Sequence, residues 1–324
     1  MKILVGGGAG YIGSVLTPVL KEHSNEVNVV DLLWFGNRLP KDVPVRQADL
    51  FDLTVKDFEG YDQFVFLGGL SNDPMAEFDP ALNFISNAAL PSYLAFAAKR
   101  AGVRRFVYAS SCSVYGYTVN ELYDEESPTT CSYPYGISKL LGERGVLQHQ
   151  DDSFSTIILR QGTVCGYSPR MRFDLIVNTM FKHAMARGAI TVDNPSIWRP
   201  ILDVRDTALA FLRAIQADYS ISGIFNVGFD NFTVGQVCDI VRDDLQQLTG
   251  ERIKLTVNHI DDFRNYKVTT AKARTYLGFS PRYTISDMVH SLWKHREEWG
   301  DYTDPRLFNI ETFKRVVSAR PKNT

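Results

Sequence analysis

The chain has 324 residues, 44% of them apolar and 22% charged, with a formal net charge of −2. That is room for one large domain, or a main domain with a smaller appendage, of ordinary globular composition. A near-neutral balance without blocks of like charge excludes a broad nucleic-acid footprint or a basic membrane patch. Cys112, Cys131, Cys165 and Cys238 match no zinc or redox spacing, so no metal site is expected, and reduced thiols in a cytoplasmic protein are implied. The opening M-K-I-L-V-G-G-G is too short an apolar run for a signal peptide, and no later run is long enough to span a membrane.

In chain order, Ile3–Val5 is a short apolar run, followed by a glycine cluster and a helical stretch near 11–22. Val27–Val30 is a second run and ends at Asp31; Phe64–Leu67 and Phe106–Ala109 follow. Between the last two, residues 81–101 carry apolar residues at helical period and many alanines. Residues 133–149 read as a helix and Thr156–Leu159 as a strand. Alternation of apolar strands with helices predicts an α/β fold, a doubly wound parallel sheet covered on both faces. Beyond about 165 the pattern loosens, with Pro and Arg interrupting it. A piece at 201–204 and I-F-N-V at 224–227 are expected to return to the sheet. The division expected is residues 1–164 as a dinucleotide-binding unit rejoined by 201–228. Residues 165–200 and 229–324 would then form a smaller substrate-binding lobe.

V-G-G-G-A-G-Y-I-G sets Gly7, Gly10 and Gly13 in G-x-x-G-x-x-G spacing, with Tyr11 and Ile12 inside the loop. It follows a strand and opens a helix, where glycines permit a tight turn and close approach of a pyrophosphate to the helix N-terminus. Asp31 ends the second strand 18 residues beyond Gly13, the place for a carboxylate that accepts hydrogen bonds from an adenosine ribose. Leu32 and Leu33 follow, with no arginine for a 2′-phosphate, so NAD is favoured over NADP. Asp49 and Leu50 end a further expected strand; Asp49 either touches adenine or closes a turn. S-Y-P-Y-G-I-S-K places Tyr135 and Lys139 four residues apart, on one face of a helix. A free phenol titrates near ~10, too high for a base at neutral pH, and a nearby lysine ammonium and an oxidised nicotinamide would both favour the phenolate.

Together these motifs resemble the extended short-chain dehydrogenase/reductase family acting on nucleotide sugars. G-G-A-G-Y-I-G-S at 7–14, S-S-C-S-V-Y-G at 110–116, Y-G-I-S-K at 135–139, W-R-P-I-L-D-V-R-D at 198–206 and D-D-F-R-N-Y-K-V at 261–268 carry the resemblance. It implies NAD as cofactor and a nucleotide-diphosphate sugar as substrate. The implied chemistry is oxidation of a sugar hydroxyl, with Tyr135 as base, Ser111 sharing the hydrogen bond and Lys139 holding the nicotinamide ribose. It further implies that Asn87, Arg199 and Arg264 face the substrate diphosphate, that Thr163 stands where the family has an asparagine, and that Ser113 touches the sugar. A homodimer through 81–101 and the Tyr135 helix is implied by the same analogy.

Dehydratases of the family carry Asp-Glu after the catalytic Ser or Thr; here Cys112 and Ser113 stand there. Epimerases at C4 carry small residues, so a C4 epimerase is expected, with a 4-dehydrogenase or 4-ketoreductase as the alternative. A non-catalytic NAD-binding sensor ranks lower, since Ser111, Tyr135 and Lys139 are all in register. S-P-R-M-R-F-D-L-I-V-N is similar to the GDP-heptose 4-dehydrogenase branch, which keeps a GDP-sugar in play. Its Arg170 and Arg172 either bind substrate or are solvated. Ser71 and Asn72, in G-L-S-N-D-P, either touch the sugar or form an Asx turn.

Overall fold

The computed structural model describes residues 1–23, 25–259 and 264–319. Its strands are β1 (Lys2–Gly6), β2 (Glu26–Asp31), β3 (Val45–Gln47), β4 (Gln63–Phe66), β5 (Arg105–Ser111), β6 (Tyr117–Tyr123) and β7 (Ser155–Gln161), followed by β8 (Thr163–Cys165), β9 (Ala189–Asp193), β10 (Trp198–Asp203), β11 (Gly223–Val227), β12 (Asp230–Thr233), β13 (Lys254–Asn258) and β14 (Asn265–Val268). Seven of them form one sheet in the order β11-β7-β5-β4-β1-β2-β3, and every pairing in it is parallel. The uninterrupted apolar runs of the sequence are its inner strands. β4 and β7 are buried at every position, because helices cover both faces and neither side needs polar residues.

The chain winds outward from β1 through β2 to β3, then restarts at β4 and winds the other way. A doubly wound sheet opens a crevice at such a reversal, beyond the carboxyl ends of its central strands. The two aromatic- and aliphatic-filled cores lie on opposite faces. One, around Phe58, Phe64, Phe66, Phe106 and Phe154, belongs to the sheet and its helices alone. The other runs without a break from Ile3 and Val65 to Phe181, Val241 and Leu292. The later chain is therefore built onto one face of the sheet and shares its core.

Two expectations need correction. Gly223–Val227 does join the sheet, and helix Val204–Gln216 packs beside helix Gly13–Glu22. The apolar piece at 201–204, however, lies in a separate three-stranded sheet, β12-β10-β8, because Pro200 and the parallel partner β8 draw β10 outward. The periodic stretch 81–101 is not one regular helix. Helices Pro80–Phe84 and Leu90–Arg100 are joined through a wide turn, Ile85–Ala89. Extra carbonyl spacing of this π type is common near functional sites. Among the described residues no helix is long and apolar enough to cross a membrane, and no cluster of His, Cys, Asp and Glu is placed to hold a metal.

Candidate active site

Two adjoining clefts open at the carboxyl ends of β1, β4, β5 and β7. The first is lined by the glycine loop, Asp31, Asp49, Leu50, Gly68–Ser71 and Leu90. The second is lined by Ser111, Ser113, Tyr135, Lys139, Gln161, Thr163, Arg199, Arg264 and Tyr266. Tyr11, Ile12, Ser71 and Arg172 belong to both walls.

The first cleft is shaped by missing side chains. Gly7 has φ +78°, a left-handed backbone, and a Cβ there would meet the Gly68 nitrogen at 2.7 Å. A Cβ on Gly13 would meet the Gly8 carbonyl oxygen at 2.3 Å, so the helix sits tight on the loop only as glycine. Asp31 accepts from the Ala9 N–H at 3.0 Å and the Leu33 N–H at 2.8 Å. These bonds pull its carboxyl pKa down, but burial dominates and pushes it up. Tyr11 leaves the loop and donates to the Gly166 carbonyl at 2.6 Å, tying the loop to the segment after β8. A glycine cradle at a helix start, with a carboxylate at the neighbouring strand end, fits a dinucleotide. Asp49 lies two residues beyond the end of β3 rather than on a strand. Its side chain accepts from the Phe51 N–H at 3.1 Å and caps the turn Leu50–Asp52, while both Asp49 and Leu50 line the cleft.

In the second cleft the three expected catalytic side chains meet. Ser111 ends β5, and its Oγ accepts from the Ser113 N–H at 3.1 Å, which caps the turn Cys112–Tyr115. The same hydroxyl faces the Tyr135 phenol closely enough to pull its pKa down. Lys139, one turn along helix Pro134–Leu147, lies 5.8 Å from the centre of the Tyr135 ring. Its Nζ donates to the Ala109 carbonyl at 2.9 Å. Burial lowers the Lys139 pKa to about 7, against the opposing pull of Glu143. The fall expected in the Tyr135 pKa includes the effect of the oxidised nicotinamide; the protein's own groups act on balance in the other direction. Burial pushes the phenol well up and Asp73 adds to that; Arg172 and the Ser111 hydroxyl pull back less strongly. Tyr135 is therefore held as the neutral acid until more positive charge is set beside it.

The helix is braced from below. Glu143 and Arg160 form a buried ion pair at 2.8 Å. Ser110 donates to Glu143 at 2.5 Å and Arg160 to the Tyr115 hydroxyl at 2.9 Å. This explains how the V-Y-G tyrosine serves the site without entering it. Cys112 faces the same interior: it is fully buried, its Sγ donates to the Arg160 carbonyl at 3.2 Å, and burial raises its pKa strongly. Ser113, the next residue of the turn Cys112–Tyr115, lines the cleft instead.

The arginines separate. Arg264 pairs with Asp73 at 2.5 Å, Arg199 donates to the Arg264 carbonyl and sits 5.4 Å from the Tyr266 ring, and Arg172 pairs with Asp174 at 2.9 Å. Arg170 is the departure. It lines the first cleft and not the second. The solvated alternative fails for both residues of the segment, since Arg170 is 4% and Arg172 6% exposed. Asn87 does not reach either wall. It is fully buried and its side-chain nitrogen donates to the Leu70 carbonyl at 2.9 Å, behind the loop that forms the floor. Asn72 caps helix Asp73–Phe78, accepting from the Met75 N–H at 3.1 Å and donating to Asp174 at 3.0 Å; it thus fulfils the turn reading while lining the second cleft. Of the segment 261–278, Asp261–Phe263 lie outside the described residues.

Sequence reasoning overlooked Asp73, Gln161 and Tyr266 in the second cleft and Trp34, Phe35 and Asn309 in the first. Tyr266 lies on β14, two residues after Arg264, which immediately precedes the strand, so the spacing of two was an available signal. Nothing local marks Asn309, which arrives from the far end of the chain.

Residues 3–228 match the model of the NAD dependent epimerase/dehydratase family. The chain belongs to this family. It is 26% identical to a UDP-glucose 4-epimerase of Corynebacterium glutamicum over 93% of its own length and 97% of that protein's. It is 27% identical to UDP-glucuronic acid decarboxylase 6 of Arabidopsis thaliana over 89% and 86%. Among solved structures, MoeE5 in complex with UDP-glucuronic acid and NAD superposes with a TM-score of 0.80 at 25% identity. It covers 92% of this chain and all of MoeE5. The cofactor of this family member is NAD, and the glycine cradle and Asp31 are the residues that would hold it.

Proposed function

We propose that this enzyme inverts the configuration at C4 of a nucleotide-diphosphate sugar through a 4-keto sugar. The observation that carries the reading is the convergence of Ser111, Tyr135 and Lys139 where the dinucleotide cleft meets a second cleft rich in arginine. Bound NAD would supply hydride acceptance and return at carbon. The protein's part is the proton: Tyr135 Oη takes it from the sugar hydroxyl and later gives it back, with Ser111 Oγ sharing the hydrogen bond. Arg199 and Arg264 suit a diphosphate, whose oxygens match the planar guanidinium. Drawing Arg264 onto that anion would loosen its pairing with Asp73.

Elimination of water is disfavoured by the carboxylates present. Among the described residues of the second cleft these are Asp73 and Asp174, each bound to an arginine, and neither follows Ser111. A 4-dehydrogenase or 4-ketoreductase acting on a GDP-sugar is the second reading, favoured by S-P-R-M-R-F-D-L-I-V-N. We further propose a homodimer. Phe84, Ile85, Tyr93, Phe96 and Ile137 are large apolar side chains left exposed on helices 80–100 and 134–147, the chemistry of a surface that meets its own copy. The four unpaired cysteines suit the cytoplasm.

The test is incubation with UDP-, GDP- and dTDP-sugars, with products followed by NMR. A stereoisomer without net redox change supports the epimerase, and a keto sugar with reduced cofactor supports the dehydrogenase. A 6-deoxy-4-keto product overturns both, as does full turnover by the Tyr135→Phe variant.

A further inference from the structure

The Arg170 guanidinium is buried in the dinucleotide cleft, yet it lacks the anion that such burial calls for. Its Nη2 donates to Asn309 Oδ1 at 2.5 Å, and its Cζ lies 3.4 Å from the centre of the Phe35 ring. Its Nε and Nη1 have no hydrogen-bond partner among the described residues. Neighbouring carboxylates do not fill them: Asp31 is taken by Ala9 and Leu33, and Asp174 by Arg172. Burial lowers the Arg170 pKa to about 9, with Arg172 adding to the fall. A desolvated cation with open N–H groups is strongly unfavourable unless an anion completes it. The wall it shares with Gly7, Gly10 and Gly13 is where a dinucleotide places its two phosphates.

We propose that Arg170 is a cofactor-binding residue, taking the diphosphate of the dinucleotide through Nε and Nη1 and completing the cradle of the glycine loop. This rests on NAD being the cofactor. The lobe then takes part in holding NAD, and Asn309 sets the arginine in place. Asn309 donates to Ser71 Oγ at 2.6 Å, and its own N–H donates to Asp174 at 3.3 Å. Its helix, Asn309–Ala319, is anchored by the fully buried Phe313, whose ring lies 6.0 Å from Trp34 and 5.9 Å from Phe78. The last described helix is thereby fixed to the mouth of the first cleft.

Calorimetric titration of the full chain, freed of bound nucleotide, with NAD, ADP-ribose and adenosine tests the assignment; adenosine is measured by displacement. Arg170→Gln is expected to weaken NAD and ADP-ribose by tenfold or more and to leave adenosine unchanged. Asn309→Ala, which keeps the charge but frees it, should give a smaller loss in the same two ligands. Unchanged NAD affinity in Arg170→Gln overturns the proposal. So does an equal loss for adenosine, which would place the residue's effect on the ribose or the pocket shape. If circular dichroism shows that Arg170→Gln does not fold, Arg170→Lys substitutes: several-fold weaker NAD binding supports the proposal and unaltered binding overturns it. Failure of the wild-type chain to bind NAD would instead overturn the cofactor reading itself.

Discussion

Replacing Lys139 by methionine should make the nucleotide-free protein more stable in a pH-dependent way. The ammonium is buried, and desolvation holds its pKa at about 7 against an ordinary value of 10.5. Below pH 7 both folded and unfolded chains carry the proton, and folding then includes the whole expense of burying the charge. At about 1.4 kcal/mol per pKa unit that is on the order of 5 kcal/mol. Between pH 7 and 10.5 the folded chain has lost the proton that the unfolded chain still binds, so the wild type gains stability as pH rises. Methionine keeps the length, removes the titration and gives up the bond to the Ala109 carbonyl, a loss of about 1 kcal/mol. Urea unfolding of both proteins from pH 6 to 10 gives the difference in stability, from which other titrating groups largely cancel. The methionine variant should lead by several kcal/mol up to pH 7. The lead should then shrink by roughly 1.4 kcal/mol per unit above it. A difference independent of pH would show that Lys139 does not change its protonation on folding, and the argument would fall.

Arg160→Met should destabilise the chain by about 3–5 kcal/mol by leaving Glu143 charged and unpaired in the interior; adding Glu143→Met should restore much of the loss in the same unfolding assay. Cys112→Ala should change turnover by less than about twofold and lower stability by about 1 kcal/mol, whereas a large fall in turnover would return the thiol to the mechanism. Asp31→Ser should weaken NAD by roughly tenfold or more and narrow its advantage over NADP, read by titration. Introducing glutamate at Phe96 should shift sedimentation of the proposed dimer toward monomer, and an unaltered sedimentation coefficient would exclude that face.

The sheet was readable because parallel strands buried on both sides must be continuous apolar runs, and the glycine loop because close backbone approach admits no other residue. Ser111, Tyr135 and Lys139 were readable because local spacing on a strand end and one helix turn fixes them. What stayed hidden depends on contacts far apart in sequence. Asn87 sits in a helix pattern identical to that of a ligand-facing residue; only the wide turn Ile85–Ala89 directs it beneath Leu70. Arg170 and Arg172 differ by two positions, yet one faces the dinucleotide side alone and the other both clefts. Motif spacing carries no information about burial, which at Tyr135 outweighs the protein's own neighbouring charges.

The anchoring of Phe313 and Asn309 also joins parts of the chain that lie far apart in sequence. The glycine loop and Asp31 are made within the first tenth of the chain, whereas the residues that finish the cleft's mouth lie beyond position 308. The mouth of the cleft is thus a joint between distant parts of the chain, and loosening helix Asn309–Ala319 would be felt at Trp34 and Ser71 on the glycine-loop side.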